Sequence, residues 1–409
     1  MCINILIAPS GFKESLGVDD VVKAISKGVK AALPSARVLK APMVDGGEGF
    51  THGLVKATGG TVKKVRVTGP VGKPVDSFFG FLGTRGPKTA VIEMAAAAGL
   101  SLVPRDLRDP TSTTSFGVGE LILAALETGA ERILLGCGDS GINDGGAGMA
   151  QALGARLLDA SGEEIGRGGA ELVRLARIET DGIDPRLEHV PVDAAVNWHN
   201  VLLGPRGVAR VFGPQKGANE TQVVVLEQAL ETYAARLKAD LGLDIGHANG
   251  SGASGGLGTG LVAFAGARLH PRFDIVMQYL NFEAMLGQAD LVITAEGSLD
   301  RQSPYGKVPC EVARRARAHG IPTIALAGTL GPGVRQTFAA GIDACASIIK
   351  RPCTLEKAID KGEKLLRRAT EDAMRMILVG MRLNTDVHLK REAFDRAHSS
   401  APSASATRH

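Results

Sequence analysis

Residues Gly136–Gly148, GCGDSGINDGGAG, constrain this chain more than any other stretch. The apolar run Ile133–Leu135 leads in and Met149–Leu153 reads as the start of a helix. Strand, glycine loop, helix start: this order points backbone N–H groups at whatever occupies the loop, and favours an anion there. The first six residues also match G-x-G-x-x-G, with Asp159 in reach as a ribose-binding acid. The loop therefore holds a dinucleotide or serves a phosphoryl-transfer site.

The flanking sequence predicts an α/β fold. Ile3–Ala8 is a short continuous apolar run, as in a buried parallel strand, and an amphipathic helix follows from about Val18 to Leu33. A second strand, Val38–Val44, ends in Asp45-Gly-Gly-Glu48-Gly49. Residues 61–100 are β-rich and broken by Gly and Pro, which predicts an antiparallel patch. A helix is expected over Glu220–Leu241, then a second glycine loop over Gly250–Gly260. From Ala289 strands and helices alternate in a doubly wound pattern that places ligands beyond the carboxyl ends of the strands. A long helix, roughly Leu355–Leu383, completes it, and 384–409 read as a disordered tail.

Composition narrows the function. A chain of 409 residues is too long for one ordinary core. With 53 glycines it has many tight turns and close backbone approaches. Three Tyr, one Trp and a dispersed net charge of +4 argue against nucleic-acid binding. The five cysteines lack any C-x-x-C and read as free thiols of a reducing compartment. There is no basic leader and no apolar run near the roughly 18 residues of a membrane helix. A cytoplasmic protein with no membrane partner is expected, with a homo-oligomer left open.

Phosphoryl transfer needs donors to neutralise phosphate charge, carboxylates for Mg²⁺ and a group to orient the attacking hydroxyl. Several loops supply them: Lys13, Lys216 and Lys307 beside Gly or Pro, and the acid pairs Asp45/Glu48, Asp139/Asp144 and Glu296/Asp300. One such residue is usually solvated surface; the same placement repeated in independent loops is harder to dismiss. There is no Walker A, because Gly306-Lys307 is followed by Val308. No His/Cys/carboxylate set has the spacing of a structural metal site.

In sum these motifs resemble the bacterial glycerate kinase type-1 family. The resemblance runs from Ile5 to about Val379 and rests on Ala8-Pro-Ser-Gly-Phe-Lys-Glu-Ser-Leu16, Val44-Asp-Gly-Gly-Glu-Gly49, Thr113–Glu120, Asn143-Asp-Gly-Gly-Ala-Gly148, Gly204-Pro-Arg-Gly207, Phe212–Ala218 and Glu296–Lys307. It implies a Rossmann-like domain built from both chain ends (1–65 and 285–383), an inserted α/β domain (66–284) and an active site in the cleft between them. It further implies ATP- and Mg²⁺-dependent phosphorylation of a small hydroxy acid, D-glycerate first.

The expected site residues are Lys13, Asp45, Asp144, Asp300 and, at a departure from the family, His199 in catalysis, with Glu296 and Asp300 toward the metal. Gly46, Gly47, Glu48, Ser140, Asn143, Arg206, Lys216, Gly255, Gly256, Gln302 and Lys307 would bind substrate and phosphates. The chain departs from the family in three places. A loop carboxylate is absent from Pro9-Ser-Gly-Phe-Lys13; Asp139 is an added acid; and a D-V-D-N segment reads Asn197-Trp-His-Asn200. His199 could replace a lost base, since imidazole titrates near neutral pH, or it could reshape the pocket for a larger sugar acid. Two rivals remain: an NAD-dependent 2-hydroxy-acid dehydrogenase using GCGDSG with Asp159, and a catalytically silent ligand-binding homologue. Asp144→Asn is expected to lower turnover far more than thermal stability.

Overall fold

The structure is a computed structural model that describes residues 3–12 and 15–399, with side chains as far as residue 383. In chain order the strands are β1 (Asn4–Ile7), β2 (Arg37–Lys40), β3 (Thr61–Thr68), β4 (Pro74–Phe81), β5 (Thr89–Glu93) and β6 (Arg132–Gly136). There follow β7 (Arg156–Leu158), β8 (Arg177–Glu179), β9 (Val192–Val196), β10 (Arg268–Pro271), β11 (Leu291–Leu299), β12 (Thr323–Leu330) and β13 (Ala344–Ser347).

Both chain ends build one sheet. Its order is β13-β12-β11-β1-β2, with every pair parallel. Counted along the chain this is the 2-1-3-4-5 order of a doubly wound fold, with its switch point between β1 and β11. The middle of the chain builds a second sheet, β10-β9-β6-β5-β4-β3. There β3, β4 and β5 pair antiparallel, as residues 61–100 predict, while β5, β6, β9 and β10 run parallel.

The period of two along each strand sorts side chains into layers. Ile5 and Ile7 join a core with helix Val18–Ala32 and the C-terminal helix on the outer face of the first sheet. Leu6 and Ala8 point the other way, into a core shared with Val91, Leu134 and Ala195 of the second sheet. Helices Phe50–Thr58, Arg272–Tyr279 and Phe282–Leu286 fill that layer. On the far side Ala90, Ile92, Ile133 and Leu135 pack on helices Phe116–Glu127 and Ala253–Ala265.

Two segments differ from expectation. The expected glycine loop Gly250–Gly260 is in part helix Ala253–Ala265. Ser254, Gly255 and Gly256 keep left-handed loop geometry, while from Leu257 onward the chain is helical, because Leu257, Leu261 and Phe264 bury on one side and stabilise a turn of otherwise poor formers. The C-terminal helix, Gly362–Ser399, continues beyond Leu383, where the expected tail began. No helix among the described residues is long and apolar enough to cross a membrane.

Candidate active site

The parallel strands of the second sheet end along one edge. Glu93 closes β5, Cys137–Asp144 follow β6, Asn197–Asn200 follow β9 and Arg272 follows β10. The loop after β2 crosses to this edge from the first sheet. Its start is tied to the first sheet, where the Met43 N–H donates to the Pro9 carbonyl at 3.0 Å. Its end is packed on the second, with Gly46 lying against Cys137 and Ala195. The two sets of carboxyl ends, where α/β folds place ligands, are thus joined by Asp45–Gly49.

Carboxylates hold this loop by its backbone. The Gly47 N–H donates to Asp45 Oδ1 at 3.3 Å and the Glu48 N–H to Asp139 Oδ2 at 2.9 Å. Glu93 takes the next two: the Gly49 N–H donates to Oε1 at 3.3 Å and the Thr51 N–H to Oε2 at 2.8 Å. Burial pushes the Glu93 carboxyl up to about 7, against the pull of these two N–H donors and with a push from Glu48 and Asp139. Asp45 Oδ2 lies 3.8 Å from Arg272 Nη1.

Beside it the second half of the opening glycine stretch is fully interior. Asp144 is 0% exposed, and Oδ2 accepts from the Ser115 N–H (2.7 Å), Ser115 Oγ (2.8 Å) and the Gly148 N–H (3.3 Å). Its Oδ1 accepts from the Gly146 N–H at 3.1 Å. Burial nonetheless raises its pKa. Asn143 is also 0% exposed, and neither of its amide atoms has a hydrogen-bond partner among the described residues. Lys216 donates through Nζ to Ser140 Oγ at 2.9 Å and to the Ile142 carbonyl at 2.6 Å. Burial pulls its ammonium down to about 7, with Asp144 opposing.

The second glycine segment closes over this turn. Ser254, Gly255 and Gly256 are left-handed in succession (φ 52°, 72° and 87°), a kink inside the helix, and the Gly145 N–H donates to the Gly255 carbonyl at 3.0 Å. A Cβ at Gly255 would lie 2.0 Å from the Ile142 carbonyl, so only glycine permits the approach. Ser140, Asn143, Lys216, Gly255 and Gly256 therefore form one unit.

The remaining expected residues lie elsewhere. Glu296 sits on β11 next to the switch point, where the Ser10 N–H donates to the Ala295 carbonyl at 2.9 Å. Lys307 Nζ pairs with Asp300 Oδ2 at 3.2 Å, and the Gln302 N–H donates to Asp300 Oδ1 at 2.8 Å. Burial alone would raise the Asp300 carboxyl; the Gln302 N–H and Lys307 outweigh it and hold it below its ordinary value. Arg206 and Gln302 are exposed, as is His199, on the turn after β9. Lys13 lies outside the described residues. Sequence reasoning passed over Glu93, Ser115 and Arg272. For Glu93 a signal exists: it is the one acid in the apolar run Thr89–Leu100.

Comparison with known proteins bears on this edge. A family model described as the glycerate kinase family matches residues 5–378. The glycerate kinase of Halalkalibacterium halodurans is 45% identical over 369 residues, 90% of this chain and 97% of that protein. The glycerate 2-kinase of Escherichia coli K12 is 45% identical over 380 residues, 93% of this chain and 99% of that one. A crystal structure from Salmonella typhimurium LT2, assigned as a glycerate kinase 2, superposes with a TM-score of 0.82 at 44% identity, covering 93% of this chain and 100% of that one.

Proposed function

Because the chain belongs to the glycerate kinase family, we propose that it transfers the γ-phosphoryl group of ATP to a hydroxyl of D-glycerate, giving 2-phosphoglycerate. The observation that carries this reading is the meeting of the Asp45–Gly49 loop with the Gly136–Gly148 stretch at the carboxyl edge of the second sheet. It supports a kinase over the dehydrogenase rival, since Asp139 and Ser140 of the G-x-G-x-x-G are engaged with Glu48 and Lys216.

The roles follow from chemistry. Lys13, Lys307 and Arg206 carry the positive charge that phosphates and the acceptor carboxylate require, while buried Lys216, through Ser140 and the Ile142 carbonyl, holds the glycine loop that faces them. The orphan amide of Asn143 has donors and an acceptor to give a polar ligand. Gly46, Gly47, Gly255 and Gly256 let backbone approach closely. Asp45, with Glu48 beside it, orients the acceptor hydroxyl, and His199 takes its proton. Asp144, fully buried and accepting four hydrogen bonds, holds the turn that presents Asn143.

Mg²⁺ fits as an ion that arrives with the nucleotide. No group of three acids or histidines converges on one point among the described residues, whereas Mg²⁺ in kinases needs only one or two carboxylates besides the phosphates. Glu296 and Asp300 would hold it, Asp300 staying ionised beside Lys307. Bound there, the ion would supply charge neutralisation to the transferred phosphoryl group. We assign 1–65 with 285–383 to a Rossmann-like domain and 66–284 to an inserted one, with the first boundary moved back to residue 60 because β3 pairs with β4 in the second sheet, in a cytoplasmic enzyme.

The test is ATP consumption over glycerate and related sugar acids, with the phosphorylated carbon located by NMR. Turnover on D-glycerate with phosphate on carbon 2 is expected. No turnover on any of them would sink the kinase reading, and preference for a longer acid would move the acceptor.

A further inference from the structure

Four backbone N–H groups, those of Gly47, Glu48 and Gly49 in one short loop and of Thr51 in the first turn of the helix after it, all donate to side-chain carboxylates, and two of those carboxylates come from other parts of the fold. We propose that Glu93 and Asp139 are positioning residues that clamp the Asp45–Gly49 loop to the second sheet and so aim Asp45 and Glu48 into the active site. The proposal deepens the kinase reading and rests on it for what the loop is aimed at.

Each half of the clamp is built at some cost to the fold, as positioning devices are. Helix Phe50–Thr58 starts at Gly49 with no side-chain cap of its own. Glu93, only 3% exposed and 42 positions along the chain from Thr51, supplies the cap from the end of β5. A buried carboxylate between two amides fixes where the helix starts, and thus where Glu48 sits.

Asp139 adopts φ 51°, a left-handed conformation uncommon outside glycine, though less so for Asp. In that conformation its carboxylate meets Gly47 so closely that a Cβ at 47 would lie 2.1 Å from Oδ2. The strain, the absent Cβ and the 2.9 Å bond to the Glu48 N–H serve one contact. Since Lys216 bonds the neighbouring Ser140, the clamp ties Asp45–Gly49 to the loop around Lys216.

The clamp is tested with Glu93→Gln and Asp139→Asn, and with Asp139→Gly, which removes the carboxylate while relieving the backbone and so protects against loss of folding. Amide hydrogen exchange and steady-state kinetics with ATP and D-glycerate are read on each. Expected are a tenfold or greater loss of protection at Gly49 and Thr51 in Glu93→Gln and at Glu48 in both Asp139 variants. With it should come a tenfold or greater fall in kcat or rise in KM for glycerate, and a KM for ATP within twofold of wild type. Unchanged protection overturns the clamp. Lost protection with kcat and both KM values within twofold overturns the positioning role and leaves Glu93 a helix cap. If the wild-type protein does not phosphorylate glycerate, the kinase reading fails, and the exchange data still decide the clamp.

Discussion

Lys216 Nζ, 2% exposed, donates a 2.9 Å hydrogen bond to Ser140 Oγ and so anchors the first half of the glycine stretch from a helical turn 76 positions away. A second bond from the same Nζ, 2.6 Å to the Ile142 carbonyl, makes the lysine a strut through the loop. Replacing it with methionine keeps volume and removes both bonds. Lys216→Met should lower kcat/KM for ATP at least tenfold.

The same variant should change the pH dependence of stability. Folding lowers the Lys216 pKa from 10.5 to about 7. Between these values the unfolded chain binds a proton that the folded chain does not, so this group makes stability rise with pH from about 7 to 10.5 and costs most below 7. Thermal unfolding across that window should show the rise in wild type and its loss in Lys216→Met; an unchanged profile would reject the buried-ammonium account.

Asp144→Asn should act on stability first. The carboxylate accepts four hydrogen bonds in a dry interior, and an amide in its place turns an NH₂ group toward an N–H donor. A cost of about 2–4 kcal/mol is expected, read by urea unfolding. From the sequence alone the larger effect was expected on turnover; full burial moves it to the fold.

For Asp300→Asn the pattern should invert. The side chain is 27% exposed and its partner Lys307 26%, so the pair contributes little to stability. The variant should melt within about 2 °C of wild type yet need at least tenfold more Mg²⁺ for half-maximal rate. A rate curve that superposes on wild type would remove Asp300 from the metal.

Glu93 titrates in the opposite sense to Lys216. Its pKa rises from 4.5 to about 7 on folding, so the folded chain holds a proton that the unfolded chain has released. Stability from this group is full below 4.5 and is lost as pH climbs through about 7, by about 3 kcal/mol at one unit per 1.36 kcal/mol. Glu48 and Asp139 face it and steepen the loss. Glu93→Gln should abolish this fall, and its melting temperature relative to wild type should rise between pH 5 and pH 8.

His199→Gln tests the base. A positioned base is worth about a hundredfold or more in rate. A fall of that size in kcat, with KM for ATP and the melting temperature held, is the expected result; a rate within threefold of wild type would remove the base role from His199.

Much of this was legible from residue order. Apolar runs such as Ile3–Ala8 and Ile133–Leu135 announced buried parallel strands because a strand covered on both faces needs no polar alternation. Helix Glu220–Leu241 was equally plain, with Asn219 and Gln222 forming its capping box. The second half of Gly250–Gly260 was not, since its glycines signal a loop and only the core contacts of Leu257 and Leu261 make the chain helical after the left-handed turn at Ser254–Gly256.

The chain by itself determined the α/β class, the family and the loops that carry charge, because periodicity and turn chemistry are local properties of the sequence. Tertiary structure alone decided which carboxylates are sealed and which are open. Asp144 and Glu93 are interior, while Asp45 and Asp300 keep a path to solvent. Solvation of a carboxylate depends on the strands and helices packed around it, and those neighbours lie tens to hundreds of positions away. Distance along the chain hides them, and the two sheets bring them together.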